Sequence, residues 1–96
     1  MRPSEAVEKH RETIREILSR YPVRNPRVFG SVARGEDTEA SDLDIIVESE
    51  PTLDYFELAD LEINLAKYVG IRVDVRTESE FSERLLQRIS RDFRAL

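Results

Sequence analysis

Two carboxylates alternate with apolar residues in Ser41-Asp42-Leu43-Asp44-Ile45-Ile46-Val47, and a Gly-Ser step precedes them in Phe29-Gly30-Ser31-Val32-Ala33-Arg34-Gly35. On an extended strand side chains alternate faces, so Asp42 and Asp44 project from one side while Leu43, Ile45 and Val47 face a core. Two strand rises put the acids about 7 Å apart. That span suits one or two magnesium ions, since paired ions sit roughly 3.5 to 4 Å apart and each needs only one or two protein carboxylates beside phosphate oxygens. Gly30 gives a turn with no side-chain obstruction, and a short helix after it would aim backbone N–H groups and the Ser31 hydroxyl at a phosphate. Together the two segments could hold a nucleoside triphosphate and divalent cations.

Each part alone also has a plainer explanation. Asp42 after Ser41 fits a turn residue bonded to its own backbone, and Gly30-Ser31 fits an ordinary strand-to-helix turn. Asp44 is harder to explain away, because an acid within an apolar strand carries a desolvation cost unless it binds an ion or lies at an edge. The Gly30 to Gly35 spacing resembles a P-loop, but Glu36 and Asp37 stand where Lys and Ser or Thr are needed and would repel phosphate. A calcium loop is excluded too, because Ile46 occupies a ligand position and no glycine follows. A third acid, Asp74, alternates with apolar residues in Ile71-Arg72-Val73-Asp74-Val75-Arg76. It joins the first two if the strands are neighbours, and it serves equally as an edge acid paired with Arg72 or Arg76. Three carboxylates that close together are unstable without a cation.

The elements that must position these residues follow from periodicity. Val7, Ile14, Ile17 and Leu18 recur on one face of a helix from Ser4 to about Arg20. His10 lies on the same stripe and reads as a packed or edge histidine. Pro22 and Pro26 bracket a turn, Arg27-Val28-Phe29 is a short strand ending at Gly30, and Val32-Ala33-Arg34 makes one helical turn closed by Gly35. A polar loop over Glu36 to Ala40 leads to the strand from Leu43 to Glu48, which Pro51 ends. Leu53, Phe56, Leu61, Leu65 and Val69 then mark a helix that stops at Gly70. After the strand Ile71 to Arg76, Thr77 with Glu80 forms a capping box, and Phe81, Leu85, Ile89 and Phe93 give a last helix its apolar face. Arg84, Arg88, Arg91 and Arg94 line that helix; a solvated face and an edge for a partner or RNA both fit them. The expected fold is α/β (α+β): a small mixed β-sheet flanked by helices, as one domain over residues 1–96.

Composition narrows the function classes. Apolar residues make up 40% of the 96 and charged ones 36%, enough of each for a small soluble core with a polar surface. A formal net charge of -5 argues against nucleic-acid binding through bulk electrostatics. Without cysteine and with one histidine, neither a disulfide framework nor a zinc cluster is available. The start Met1-Arg2-Pro3-Ser4-Glu5 lacks a signal-like apolar run and no stretch reaches the roughly 18 apolar residues of a membrane span, so a cytoplasmic location without membrane contact is expected.

Gly30-Ser31, then Asp42-x-Asp44, then Asp74 on a later strand resembles the nucleotidyltransferases related to DNA polymerase beta. The short chain and Arg34-Gly35 are most similar to the minimal nucleotidyltransferase (MNT) group, which includes antitoxins paired with HEPN-domain toxins. The resemblance covers essentially the whole chain. It implies that Asp42 and Asp44 bind catalytic magnesium ions, two in number, that Gly30 and Ser31 contact the triphosphate, and that Asp74 completes the metal cluster and helps activate an acceptor hydroxyl. Arg34 would approach the phosphates, although a solvated turn position suits it equally. The implied reaction moves AMP from ATP to a hydroxyl, such as that of tyrosine, on a HEPN toxin, with release of pyrophosphate. Two other outcomes fit the same fold: a module that has lost turnover and neutralises its partner by contact, and nucleotidyl transfer to a small molecule, for which antibiotic-modifying relatives usually use an additional domain.

Overall fold

The computed structural model describes residues 1–96. Helix α1 (Pro3–Ser19) leads into strand β1 (Val23–Phe29), the single turn α2 (Gly30–Ala33) and strand β2 (Leu43–Ser49). Helix α3 (Tyr55–Val69), strand β3 (Val73–Thr77), helix α4 (Glu83–Ile89) and the two-residue strand β4 (Arg94–Ala95) complete the chain, with 3-10 turns at Glu78–Glu80 and Ser90–Asp92. The sheet order is β3-β2-β1-β4. β1 runs antiparallel to β2 and β4, while β2 and β3 are parallel across α3. This is the mixed sheet with flanking helices that the sequence predicts.

Alternation decides what each face of the sheet carries. Leu43, Ile45 and Val47 of β2 and Val73 and Val75 of β3 are buried in one cluster with Ile14, Ile17 and Leu18 of α1 and Leu61, Leu65 and Val69 of α3. Asp44 and Asp74 point to the opposite face. Helix α3 is well bounded: Asp54 accepts from the Glu57 N–H at 2.7 Å, Glu57 returns the bond to Asp54, and Gly70 closes the helix at φ 79°. Helix α1 bends at His10, whose ring packs edge-on against Tyr68 with centroids 5.0 Å apart, the packed histidine expected.

Several expectations need correction. β1 begins at Val23 rather than Arg27, because a bulge between Arg24 and Arg27 absorbs Pro26 without breaking the ladder. The Thr77–Glu80 box caps the 3-10 turn at Glu78–Glu80 and not the last helix, which starts after Ser82 and ends at Ile89. Phe81 and Phe93 therefore lie outside α4, where both pack edge-on against Phe29 at 6.5 and 6.2 Å. The four arginines do not share a helix: Arg91 sits in the 3-10 turn after α4, and Arg94 in β4. Phe56 faces solvent at 88% exposure, since Leu61, Leu65 and Val69 already fill the core side of α3.

Asp37, which disqualifies a P-loop in the sequence, has a structural task. It is buried and accepts the Ser4 backbone N–H at 2.8 Å, satisfying one of the free donors at the start of α1. Burial opposes its charge, but the bonds from Ser4, together with its own backbone N–H and the charge of Arg2, hold the carboxyl below its ordinary value. A carboxyl lowered on folding stabilises the fold above its unfolded pKa and loses that contribution as pH falls through the folded one. Asp37→Ala should therefore cost about 1 kcal/mol at neutral pH. In thermal unfolding that is a drop of roughly 4–8 °C for a domain of this size, and the gap to the unsubstituted chain should begin to narrow below about pH 4 and close as pH falls through the lowered folded value.

Candidate active site

The site is built where β1 hands over to α2. Phe29 pairs with Asp44 across the β1–β2 ladder, so the chain must turn directly beside the Asp44 carboxylate. Gly30 makes that turn at φ +71°, a left-handed conformation that costs other residues roughly 1–2 kcal/mol. A Cβ at Gly30 would lie 2.6 Å from Asp44 Oδ2, inside contact distance. Glycine meets both demands without strain or displacement of Asp44. Ser31 follows at once in the single turn α2.

Asp74 is the register partner of Asp44 on the parallel strand β3, so the two acids stand side by side on the sheet face away from the core. Asp42 lies one residue before β2. Burial, then the charge of Asp74, then that of Asp42 push the Asp44 carboxyl above its ordinary value, and Arg76 and Arg34 offset this only in part. Arg72 Nε stands 3.7 Å from Asp42 Oδ2 and its terminal nitrogen 3.6 Å from Asp74 Oδ1. The edge pairing of Asp74 with Arg72 and its membership of the acid group thus hold together. The side chains form a row rather than a closed cage, with no three of them gathered at metal-ligand distance. Arg34 is turned to Glu36, Nε to Oε1 2.8 Å, instead of toward the acids.

Hard carboxylate oxygens, a row of like charges and a glycine cradle against one of them match the chemistry of a magnesium site. In such a site Asp42, Asp44 and Asp74 would be the ligands.

The supporting residues come from the end of the chain and had no local sequence signal. Arg94 Nε donates to the Ala33 carbonyl at 2.7 Å, holding α2 from β4. Arg27 pairs with Glu78 and lies 4.9 Å from the centre of the Phe93 ring, which ties the C-terminal segment to β1. A cleft of about 790 Å³ between the start of α3 and the end of β3, lined in part by Tyr55, Leu58, Glu62 and Glu80, includes none of the three acids. The candidate site is instead an open sheet surface.

The profile of the nucleotidyltransferase domain matches residues 8–96. The chain belongs to the nucleotidyltransferase family. Among its relatives, a Methanocaldococcus jannaschii chain provisionally named a protein adenylyltransferase is 42% identical over 72% of this chain and 67% of its own. The protein adenylyltransferase MntA of Thermococcus cleftensis is 35% identical over 81% of this chain and 79% of its own. A solved structure provisionally assigned as a minimal nucleotidyltransferase superposes with a TM-score of 0.86 at 35% identity, covering 97% of this chain and 95% of that one. A toxin–antitoxin crystal structure with AMP-PNP contains a chain 26% identical, with a TM-score of 0.76 over 88% of this chain and 69% of that one. The nucleotidyltransferase fold and the activity class expected from the sequence are those found.

Two stability measurements check the geometry. Gly30→Ala should destabilise by about 1–2 kcal/mol in urea unfolding, from the left-handed backbone alone, with a further cost if Asp44 cannot move aside. Asp44→Asn should raise the melting temperature at neutral pH in EDTA-containing buffer, because it removes a partly buried charge set beside two like charges; an unchanged or lower value would contradict the repulsion described.

Proposed function

We propose that this chain is a magnesium-dependent protein adenylyltransferase, one catalytic domain across residues 1–96, which transfers AMP from ATP to a tyrosine hydroxyl of a HEPN-domain toxin in the cytoplasm and so acts as its antitoxin. The observation that carries this reading is the contact of Gly30 with Asp44 beside the register partner Asp74. It supports one site in which a phosphate-binding turn and a metal-binding row of acids share an edge. The naming of relatives as protein adenylyltransferases supports the reaction class, and the toxin–antitoxin complex with AMP-PNP supports both the adenine nucleotide and the kind of partner.

In this reading Gly30 and Ser31 hold the triphosphate, with Arg34 released from Glu36 to join them, and Asp42, Asp44 and Asp74 hold two ions. Bound magnesium supplies positive charge to offset what develops on the phosphates. The acceptor oxygen bonds to the α-phosphorus as the bond from that phosphorus to the pyrophosphate oxygen breaks. Asp74 takes the hydroxyl proton, a role within reach of its partly exposed position at the edge of the row. Alignment of attacking and leaving oxygens is the main task left to the protein.

Incubation with magnesium, the toxin and ATP labelled at the α or γ phosphate tests this directly. Transfer of α label to the toxin is expected; transfer of γ label would mean a kinase, and neutralisation without any transfer would mean inhibition by contact. Asp42→Ala and Asp44→Ala should abolish labelling, and Asp74→Asn should lower its rate at least about a hundredfold, all with unchanged circular dichroism. Activity that survived Asp44→Ala would overturn the metal assignment.

A further inference from the structure

We propose that Arg72 is the resident counter-ion of the carboxylate row, holding Asp42 and Asp74 until metal arrives and then turning to the triphosphate. The inference rests on the metal-site reading above and adds to it a residue that sets how strongly the free protein binds the ion. The backbone of Arg72 is fixed, because its carbonyl accepts the Leu43 N–H at 3.0 Å and so lies level with the start of both acid-bearing strands. Its side chain is not fixed. It is 74% exposed and reaches two acids from different parts of the chain at 3.7 and 3.6 Å, beyond hydrogen-bonding range, so charge alone holds it there.

The two arginines whose charge acts on Asp44 are engaged outside the row. Arg34 is held by Glu36 at 2.8 Å and Arg76 by Glu80 at 3.5 Å, whereas both partners of Arg72 belong to the row. Exposed ion pairs of this kind are weak, which suits a placeholder and not a lock. A cation entering between the same carboxylates meets the guanidinium as a like charge a few ångströms away, so Arg72 opposes metal binding in the absence of nucleotide. Once a triphosphate brings its own negative charge, the freed guanidinium has a new partner, and its fork of donors suits phosphate oxygens. The same residue thus weakens the ion alone and strengthens the ion with nucleotide.

That opposition of signs is the test, and calorimetry reads it without turnover. Mg2+ is titrated into the full chain, and then α,β-methylene-ATP is titrated at saturating Mg2+. Arg72→Ala and Arg72→Gln should bind Mg2+ alone roughly threefold or more tightly, as expected for removing a unit charge a few ångströms away in a wet site. Both should bind the nucleotide roughly three- to tenfold more weakly, while Arg72→Lys stays near the unsubstituted chain in both titrations. Thermal unfolding of each variant confirms that the exposed position leaves the fold intact. Equal or weaker Mg2+ binding by Arg72→Ala and Arg72→Gln would overturn the role of Arg72 alone. An unsubstituted chain that bound no Mg2+ even with nucleotide would overturn the metal-site reading and this inference with it.

Discussion

The approach of Gly30 to Asp44 is the constraint on which the site depends. With 2.6 Å between a would-be Cβ and Oδ2, the backbone of the turn is packed against the carboxylate. Everything nearby serves that proximity: the pairing of Phe29 with Asp44 fixes the level at which the chain turns, and the left-handed backbone makes the turn sharp enough. A turn set a few ångströms farther from the acids would leave the Gly30–Ser31 backbone and the carboxylates as two separate surfaces. A missing side chain thus brings the two halves of the site together.

Most of the burial lies on one face of the sheet and the acids on the other, where Ile46 is also buried. Burial of Leu43, Ile45, Val73 and Val75 under α1 and α3 stabilises the ladder, and the same ladder carries Asp44 and Asp74 on its other side. Like charges held level on neighbouring strands are unfavourable, and Asp44 shows it in a carboxyl raised by burial and by its two acidic neighbours. The apolar face tolerates this cost because its own contacts do not involve the acids.

What could be read in the sequence was whatever repeats or punctuates. Leu43 to Val47 and Ile71 to Arg76 declare strands by alternation, Gly70 ends α3, and the acids fall on one face by the same period of two. The pairing of Asp44 with Asp74 needed only that these strands be neighbours. The end of the chain was illegible for a physical reason: Arg94-Ala95 is a strand because β1 offers it an edge, and no pattern in two residues could say so. Phe81 and Phe93 have helical spacing, yet packing against Phe29 draws both out of the helix. Asp37 looked like a loop acid because its partner, the Ser4 amide, lies 33 residues away.

The bond from Arg94 to the Ala33 carbonyl joins residues 61 apart, and β4 must dock on β1 to make it. On the ribosome, then, β1 and α2 emerge early but wait for nearly all the remaining chain before the turn is held from its far side. Most of the buried cluster comes from α1, β1, β2, α3 and β3, whereas the turn at Gly30–Ala33 is braced only once β4 is present. A nascent chain stalled in α4 would carry all three acids and the glycine, but not the arginine that holds α2 in place.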